Sequence, residues 1–283
     1  MLRMEQIARV MPSGLTPIQR KVLDHILKHS EQVVFLTATD LARQLNVSDT
    51  SIVRLAQALG YEGYPGLKRR MRELVQPRLS TVERLGETVR KVESVDDVLS
   101  NVLLCDMNNL RKTAEDIDPE VFSLVVDVLE EAKRVFVIAL RSTHCLAVFM
   151  ASALRFLGRE VILLTPGTGE MWEQLRDIGS GDVIVGFSFP RYTKITVQVM
   201  AFARERNARV VAITDGDLSP LASSAHYMMT VPYEIDSFVE SFTAALSLVN
   251  ALVTGLAFRR QADTIKILQG MEDAWAREGI YWE

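Results

Sequence analysis

From about residue 100 onward the chain alternates between short apolar runs rich in β-formers and longer helical stretches, and that alternation decides the fold class. The apolar runs fall at 134–140, 160–164, 182–188, 209–214 and 226–231, with helical patterns between them at 145–157, 169–177 and 194–206. A strand that is apolar at successive positions must be covered on both faces. A parallel sheet with helices on each side provides that cover. Five such runs predict an α/β domain built on a doubly wound, five-stranded parallel sheet. Ligands of such sheets bind outside the carboxyl ends of the strands.

The first 75 residues follow a different rule and read as all-helical. Thr16-Pro17-Ile18-Gln19 is a helix start, with Thr16 as cap, Pro17 in the first turn and Gln19 closing a capping box. A short helix over Thr39-Asp40-Leu41-Ala42-Arg43-Gln44-Leu45 stops at Asn46-Val47. Another begins at the N-cap Ser48, shows Ile52, Val53, Leu55, Ala56 and Leu59 on one face, and ends near Gly60. The expected organisation is a helix-turn-helix domain over 1–75, a polar linker or exposed helix over 76–100, and the α/β domain over 101–283.

Net charge separates the two parts. Residues 1–90 hold 14 Lys and Arg against 9 Asp and Glu, whereas residues 91–283 hold 18 against 27, so a basic head of +5 sits on an acidic body of −9. This asymmetry fits a chain in which only the head meets a polyanion. Two cysteines without metal-type spacing, Cys105 and Cys145, argue against a disulfide scaffold and a zinc site and fit a reducing cytoplasm. No metal and no cofactor is expected. The longest uncharged apolar run, 241–258, carries Ser241, Thr243, Ser247, Asn250 and Thr254. It reads as a buried helix at a core or subunit interface, and as a candidate pairing surface, rather than as a membrane span.

Two short helices across a tight turn are the parts of a helix-turn-helix, whose second helix presents its N-terminal polar residues to base edges. On this reading the DNA-facing residues are Thr39, Ser48, Asp49, Thr50, Ser51, Arg54 and Gln57. Small hydroxyls allow close approach to phosphate, while Arg54 and Gln57 reach bases. Lys68, Arg69, Arg70 and Arg72 put four cations within five residues, a cluster suited to neutralising phosphates. The segments Thr39-Asp40-Leu41-Ala42, Val47 through Leu55, and Leu59-Gly60-Tyr61-Glu62-Gly63-Tyr64-Pro65-Gly66-Leu67-Lys68 resemble the N-terminal domain of RpiR-family bacterial transcriptional regulators. The resemblance implies binding to a double-stranded operator, as a dimer or higher oligomer on inverted repeats.

In the body, hydroxyls and backbone N–H groups at strand-to-helix turns, together with the dipole of the following helix, make an anion site. Arg141, Ser142 and Thr143 follow the first strand, and Ser188, Arg191 and Thr193 follow the third. Ser and Thr at such places are also ordinary helix caps. The region 120–260 resembles the SIS (sugar isomerase) domain of the same family, which implies a sensor for a small anionic metabolite, a phosphosugar in that family. The family's turns are Gly-rich. Here Ala139, Arg141 and His144 occupy the first turn, and Pro190 and Arg191 the other. Bare backbone is thereby replaced by two guanidiniums able to clamp a phosphate or carboxylate. His144 reads as structural, and Glu234, Asp236 and Glu240 read as charges at the start of the long apolar helix. The chain is thus expected to be a ligand-responsive homodimeric or tetrameric transcription factor and not an enzyme. The alternative is a sugar-phosphate isomerase with an accessory helical domain.

Overall fold

The computed structural model describes residues 14–34, 36–75, 79–165, 167 and 169–282. The chain divides into two compact units, Met1–Glu93 and Ser94–Glu283.

The first unit is helical. Its elements are α1 (Pro17–Lys28), α2 (Ser30–Val33), α3 (Ala38–Leu45), α4 (Asp49–Ala58), α5 (Tyr64–Val75) and α6 (Thr81–Lys91). Thr16 and Gln19 form the capping box of α1, and its buried face is Val22, Leu23 and Ile26. The turn between α3 and α4 works because Asn46 takes a left-handed conformation (φ 52°), which Asn tolerates through its short polar side chain. Ile52, Leu55 and Ala56 of α4 are then buried against Leu41, Ala42 and Leu45 of α3 in one apolar cluster. Residues 76–100, read from sequence as linker or exposed helix, include α6 and the start of the next helix.

The second unit opens with α7 (Val95–Asp116) and α8 (Pro119–Glu131) and continues into the sheet: β1 (Val135–Ile138), α9 (His144–Phe156), β2 (Val161–Leu164), α10 (Glu170–Gln174), β3 (Val183–Phe187), α11 (Lys194–Glu205), β4 (Arg209–Thr214) and β5 (Tyr227–Thr230). It closes with α12 (Thr243–Arg259) and α13 (Gln261–Glu278). The five strands are all parallel in the order β2-β1-β3-β4-β5. Alternating side chains of each strand feed two apolar layers. Val135, Val137, Val183, Val185 and Phe187 pack with α8, α9 and α12. Phe136, Ile138, Ile184, Val210 and Ala212 pack with α10 and α11. Burial on both faces is why the strands carry no polar alternation.

One element differs from the sequence expectation, and the apolar segment 241–258 meets it. The helix expected over 169–177 is the single short α10, entered from Gly169 at φ +100° and ended by Leu175. The apolar segment 241–258 forms α12, and its Ala244, Ala245, Leu248, Val249, Leu252 and Leu256 are buried in the core of its own unit. The buried-helix reading of this segment holds, and Ser247, Asn250, Ala251 and Thr254 are exposed on its other face. No helix among the described residues is long and apolar enough to cross a membrane.

At the amino ends of the strands one ion pair locks the sheet. Arg134 donates from Nε and Nη2 to the two oxygens of Asp182 at 3.1 and 2.7 Å, and from Nη2 to the Asp177 carbonyl at 2.8 Å. Asp182 is buried, and it accepts the Gly179 N–H as well. The carboxylate beside Arg134 raises the guanidinium pKa above its ordinary value. Removing one member of such a pair leaves the other charge without compensation. Arg134→Ala is expected to lower stability by about 3 kcal/mol in urea unfolding, the low end for a broken buried pair. A loss below about 0.5 kcal/mol would show that the pair is no better than a surface bridge.

Candidate functional site

The chain enters the sheet at β1, steps outward to β2, and returns on the other side of β1 as β3. The connections therefore diverge between β1 and β3, and the carboxyl ends of these two strands are the switch point, the crevice position at which such sheets bind ligands. β1 and β3 are paired in register through Ile138↔Gly186, so the turns that follow them, 139–143 and 188–193, are neighbours. Gly186 has a local reason. A Cβ there would stand 2.3 Å from Met200 Sδ, so the bare backbone admits the α11 side chain against β3. All six residues expected to bind an anion lie on these two turns.

The hydroxyls do not act as caps. In α1, α3, α4, α6, α7 and α8 a Ser, Thr or Asp side chain at the N-cap accepts a backbone N–H of the first turn. The helices that follow β1 and β3, like α10, α12 and α13, have no such cap. The 3-10 turn Arg141–Thr143 leads directly into α9 with no side-chain cap, and the Thr143 hydroxyl donates instead to the Leu140 carbonyl at 2.7 Å. Thr193 is the N-cap residue of α11 yet makes no capping bond, and its hydroxyl meets that of Thr196 at 2.6 Å. Since first-turn N–H groups lack intrahelical partners, both helix starts present donors and a positive dipole end.

Backbone geometry singles out the two arginines. Arg141 has φ 63° and Arg191 φ 68°, and both side chains are exposed. A left-handed conformation costs a residue with a Cβ roughly 1–2 kcal/mol and is normally left to glycine. The turn geometry expected of glycine is thus kept, with a guanidinium added at the same point in each turn. Ser142 is exposed, Ser188 is buried and Thr193 is half-buried.

Other residues brace the crevice. His144 Nδ1 lies 2.9 Å from the Ala139 carbonyl, so that nitrogen donates, and the ring ties the first turn to the end of β1. The Thr214 hydroxyl lies 2.6 Å from the Ser188 carbonyl and 2.7 Å from Ser219 Oγ, both of which are placed to accept from it. Tyr192 donates to Asp215 at 2.5 Å, joining the turns after β3 and β4. Thr214, Ser219, Tyr192 and Asp215 were not among the sequence-derived site residues. The signal available was their position at the carboxyl ends of β3 and β4. Glu234 lies in the loop before α12, where its carboxylate is held by Lys112 and by Asn108 of α7. It is not in the first turn of that helix, which begins at Thr243. Among the described residues no group of three or more His, Cys, Asp or Glu is placed to hold a metal.

In the head, Ser48, Asp49, Thr50, Arg54 and Gln57 are exposed along α4, and Ser51 is half-buried. Ser48 Oγ accepts the Ser51 N–H at 3.3 Å. Thr39 and Asp49 bind one another across the turn, hydroxyl to carboxylate at 2.6 Å, which ties the starts of α3 and α4 together. The basic cluster divides. Lys68 is half-buried and donates to the Leu36 carbonyl at 2.8 Å, next to Tyr64, whose hydroxyl donates to the same carbonyl at 3.2 Å. Burial pushes the Tyr64 pKa up to about 12. Arg69 and Arg70 are exposed on α5, and the side chain of Arg72 lies outside the described residues.

Residues 1–78 match the helix-turn-helix domain of the rpiR family, and residues 128–255 match the SIS domain. The chain belongs to the RpiR family. This RpiR-type transcriptional regulator is similar to HexR of Escherichia coli (strain K12), at 25% identity over 266 residues, 92% of this chain and 90% of that protein. It is also 26% identical over 275 residues to the bifunctional protein glk of Burkholderia pseudomallei (strain 1710b), of which it spans 41%. Among solved structures, the sugar isomerase domain of an RpiR transcription factor from Sphaerobacter thermophilus aligns with a TM-score of 0.59 at 26% identity, covering 62% of this chain and 97% of that one. The Vibrio vulnificus NanR protein, solved in complex with ManNAc-6P, aligns over 97% of this chain and 98% of its own with a TM-score of 0.59 at 22% identity, a likeness of fold.

The left-handed arginines lead to a sign test. Arg→Gly at an ordinary backbone position costs about 0.5–1 kcal/mol of conformational entropy, but here the relieved strain of roughly 1–2 kcal/mol outweighs it. Arg141→Gly and Arg191→Gly are each expected to leave the unliganded protein as stable as before or up to about 1 kcal/mol more stable in thermal unfolding. A loss of 1 kcal/mol at both would contradict the strain.

Proposed function

We propose that the chain is a cytoplasmic regulator whose body binds a small phosphorylated sugar at the β1/β3 crevice and whose head binds an operator through α4. The observation that carries this reading is the pair of uncapped helix starts, each preceded by an arginine in a glycine-like conformation. Such a constellation is suited to a dianion: N–H donors and a dipole at close range, with guanidiniums able to fork onto two oxygens. Ser142, Ser188 and Thr193 border the same crevice, with Thr143 bracing its first turn. NanR, which is similar in fold and was solved in complex with ManNAc-6P, favours the phosphosugar class for this chain too.

The chemistry is binding without turnover. A sugar-phosphate isomerase needs a general base within reach of the sugar carbon. Glu234 is engaged with α7, and His144 holds the Ala139 carbonyl. Ligand acts by favouring one arrangement of paired chains, homodimer or tetramer, and so one spacing of the heads on an inverted repeat.

On DNA, Ser48, Thr50 and Ser51 approach phosphate, Arg54 and Gln57 reach base edges, and Arg69, Arg70 and Arg72 neutralise phosphates along the flank. Thr39, Asp49 and Lys68 position the reading helix through the bonds described above.

A panel of phosphosugars tests the body by thermal shift. The cognate compound at about 100 times its Kd adds roughly 2.7 kcal/mol. Arg191→Gly abolishes that gain without lowering the unliganded midpoint, whereas a panel with no hit rejects the sensor. Selection of bound duplexes from a random pool tests the head. Arg54→Ala is expected to cost about 1–3 kcal/mol of discrimination at one base pair. Arg69→Ala lowers affinity evenly across sequences and reduces the salt slope by about 1. An unchanged sequence preference in the Arg54 variant removes its assigned role.

A further inference from the structure

Strand β5 is joined to the sheet at its amino end by a side chain. In a parallel ladder the carbonyl and the N–H of one residue bind the same neighbouring strand, at positions two residues apart. The Val210 carbonyl of β4 accepts the His226 N–H at 2.8 Å, so the regular acceptor for the Val210 N–H would be the Ser224 carbonyl. Ser224 is not in the strand. It lies in the turn before β5, where its own N–H donates to the Leu221 carbonyl. The His226 ring fills the gap, its Nδ1 accepting the Val210 N–H at 3.0 Å. A backbone N–H can only donate, so Nδ1 carries no proton and the ring is the neutral tautomer protonated at Nε2. Val210 is fully buried, and its N–H has no solvent to turn to when the ring lets go.

The surroundings favour the neutral ring and still leave it within reach of protons. His226 keeps solvent exposure, and partial burial of the ring together with the Arg204 guanidinium of α11 lowers its pKa below the ordinary value. Arg204 is fixed there by donating to the Ala225 carbonyl at 2.9 Å. The neighbouring charges are turned elsewhere. Glu205 is exposed at the end of α11, Arg206 lies over the Phe202 ring, and Arg209 of β4 pairs with Glu131 of α8. Tyr227, the next residue, alternates to the opposite face and packs with the α8 and α12 layer. We propose that His226 is an acid-operated latch on the edge of the sheet: the neutral imidazole completes the β4–β5 ladder, and the imidazolium, a donor at both nitrogens, releases the amino end of β5. Protonation sets donor against donor at the Val210 N–H and adds a second positive charge beside Arg204. The release is local, because the far end of β5 stays tied by the Val231 N–H on the Thr214 carbonyl at 2.8 Å. A histidine held neutral by the fold stabilises above its ordinary pKa of about 6.5, and that contribution is lost as pH falls through the lower folded value. The latch sits at the amino ends of the strands and concerns neither the operator nor the crevice.

Amide hydrogen exchange of the full-length protein tests the latch, read by NMR as protection factors so that the intrinsic pH dependence of exchange drops out. Between about pH 7.5 and about pH 5, protection of the Val210 amide is expected to fall about tenfold or more, as for a buried donor left without its acceptor. The Val185 amide of β3 is expected to keep its protection over the same range. H226A removes the acceptor at every pH, so Val210 is expected to be weakly protected already at the higher pH and to change little at the lower one. H226N places an amide oxygen where Nδ1 stands, an acceptor that does not titrate, and is expected to keep Val210 protected at both. Wild-type protection of Val210 that holds unchanged down to the lower pH overturns the proposal. So does an equal fall in H226A or H226N, which assigns the acid response to another group. A matching fall at Val185 overturns the local release in favour of loosening of the whole body. Neither DNA nor sugar phosphate enters the readout.

Discussion

Parallel pairing of β1 with β3 is the interaction on which the rest of the body depends. Because the two strands run together through Ile138↔Gly186, the turns that leave them cannot separate, and each turn opens directly into a helix. Two helix starts are thus held side by side by backbone hydrogen bonds and by a core buried on both faces. Phe136 and Phe187, for example, are fully buried on opposite faces of the sheet, each worth about 1.5–3 kcal/mol by area. Rigid placement matters because a helix end attracts an anion only within its first turn, with about 0.3–1 kcal/mol per exposed charge and more when partly buried.

That rigidity also accounts for the two strained arginines. A left-handed Arg persists only where its surroundings over-determine it, and such residues cluster at ligand sites. Arg141 lies between the end of β1 and α9, anchored by the Thr143–Leu140 and His144–Ala139 bonds. The turn carrying Arg191 is anchored through the Thr214 hydroxyl on the Ser188 carbonyl and Tyr192 on Asp215. In each turn the short-range polar bonds hold backbone and leave the helix start uncapped.

The head solves a different problem with the same means. The polar residues of α4 remain exposed while the helix itself is held in place by its neighbours. Asn46 supplies the left-handed turn, Thr39 binds Asp49, and Lys68 with Tyr64 holds the Leu36 carbonyl just ahead of α3. One member of the basic cluster is therefore part of the scaffold, although its residue type and neighbours resemble those of Arg69 and Arg70.

Strand positions, the parallel sheet and the helix-turn-helix were legible in the sequence because burial on both faces erases polar alternation and because caps such as Thr16 and Ser48 act within four residues of themselves. The two turns on which the proposed anion site rests were legible for the same reason, since the ends of apolar runs mark the ends of strands. What tertiary structure alone decided was the use of individual groups. Whether Thr143 caps a helix or binds a carbonyl, and whether Lys68 faces solvent or Leu36, depend on what lies across the fold. Local pattern encodes the hydrogen bonds and apolar contacts a residue can make. Only the packed chain, with residues tens of positions apart brought within 3 Å, selects the ones it does make.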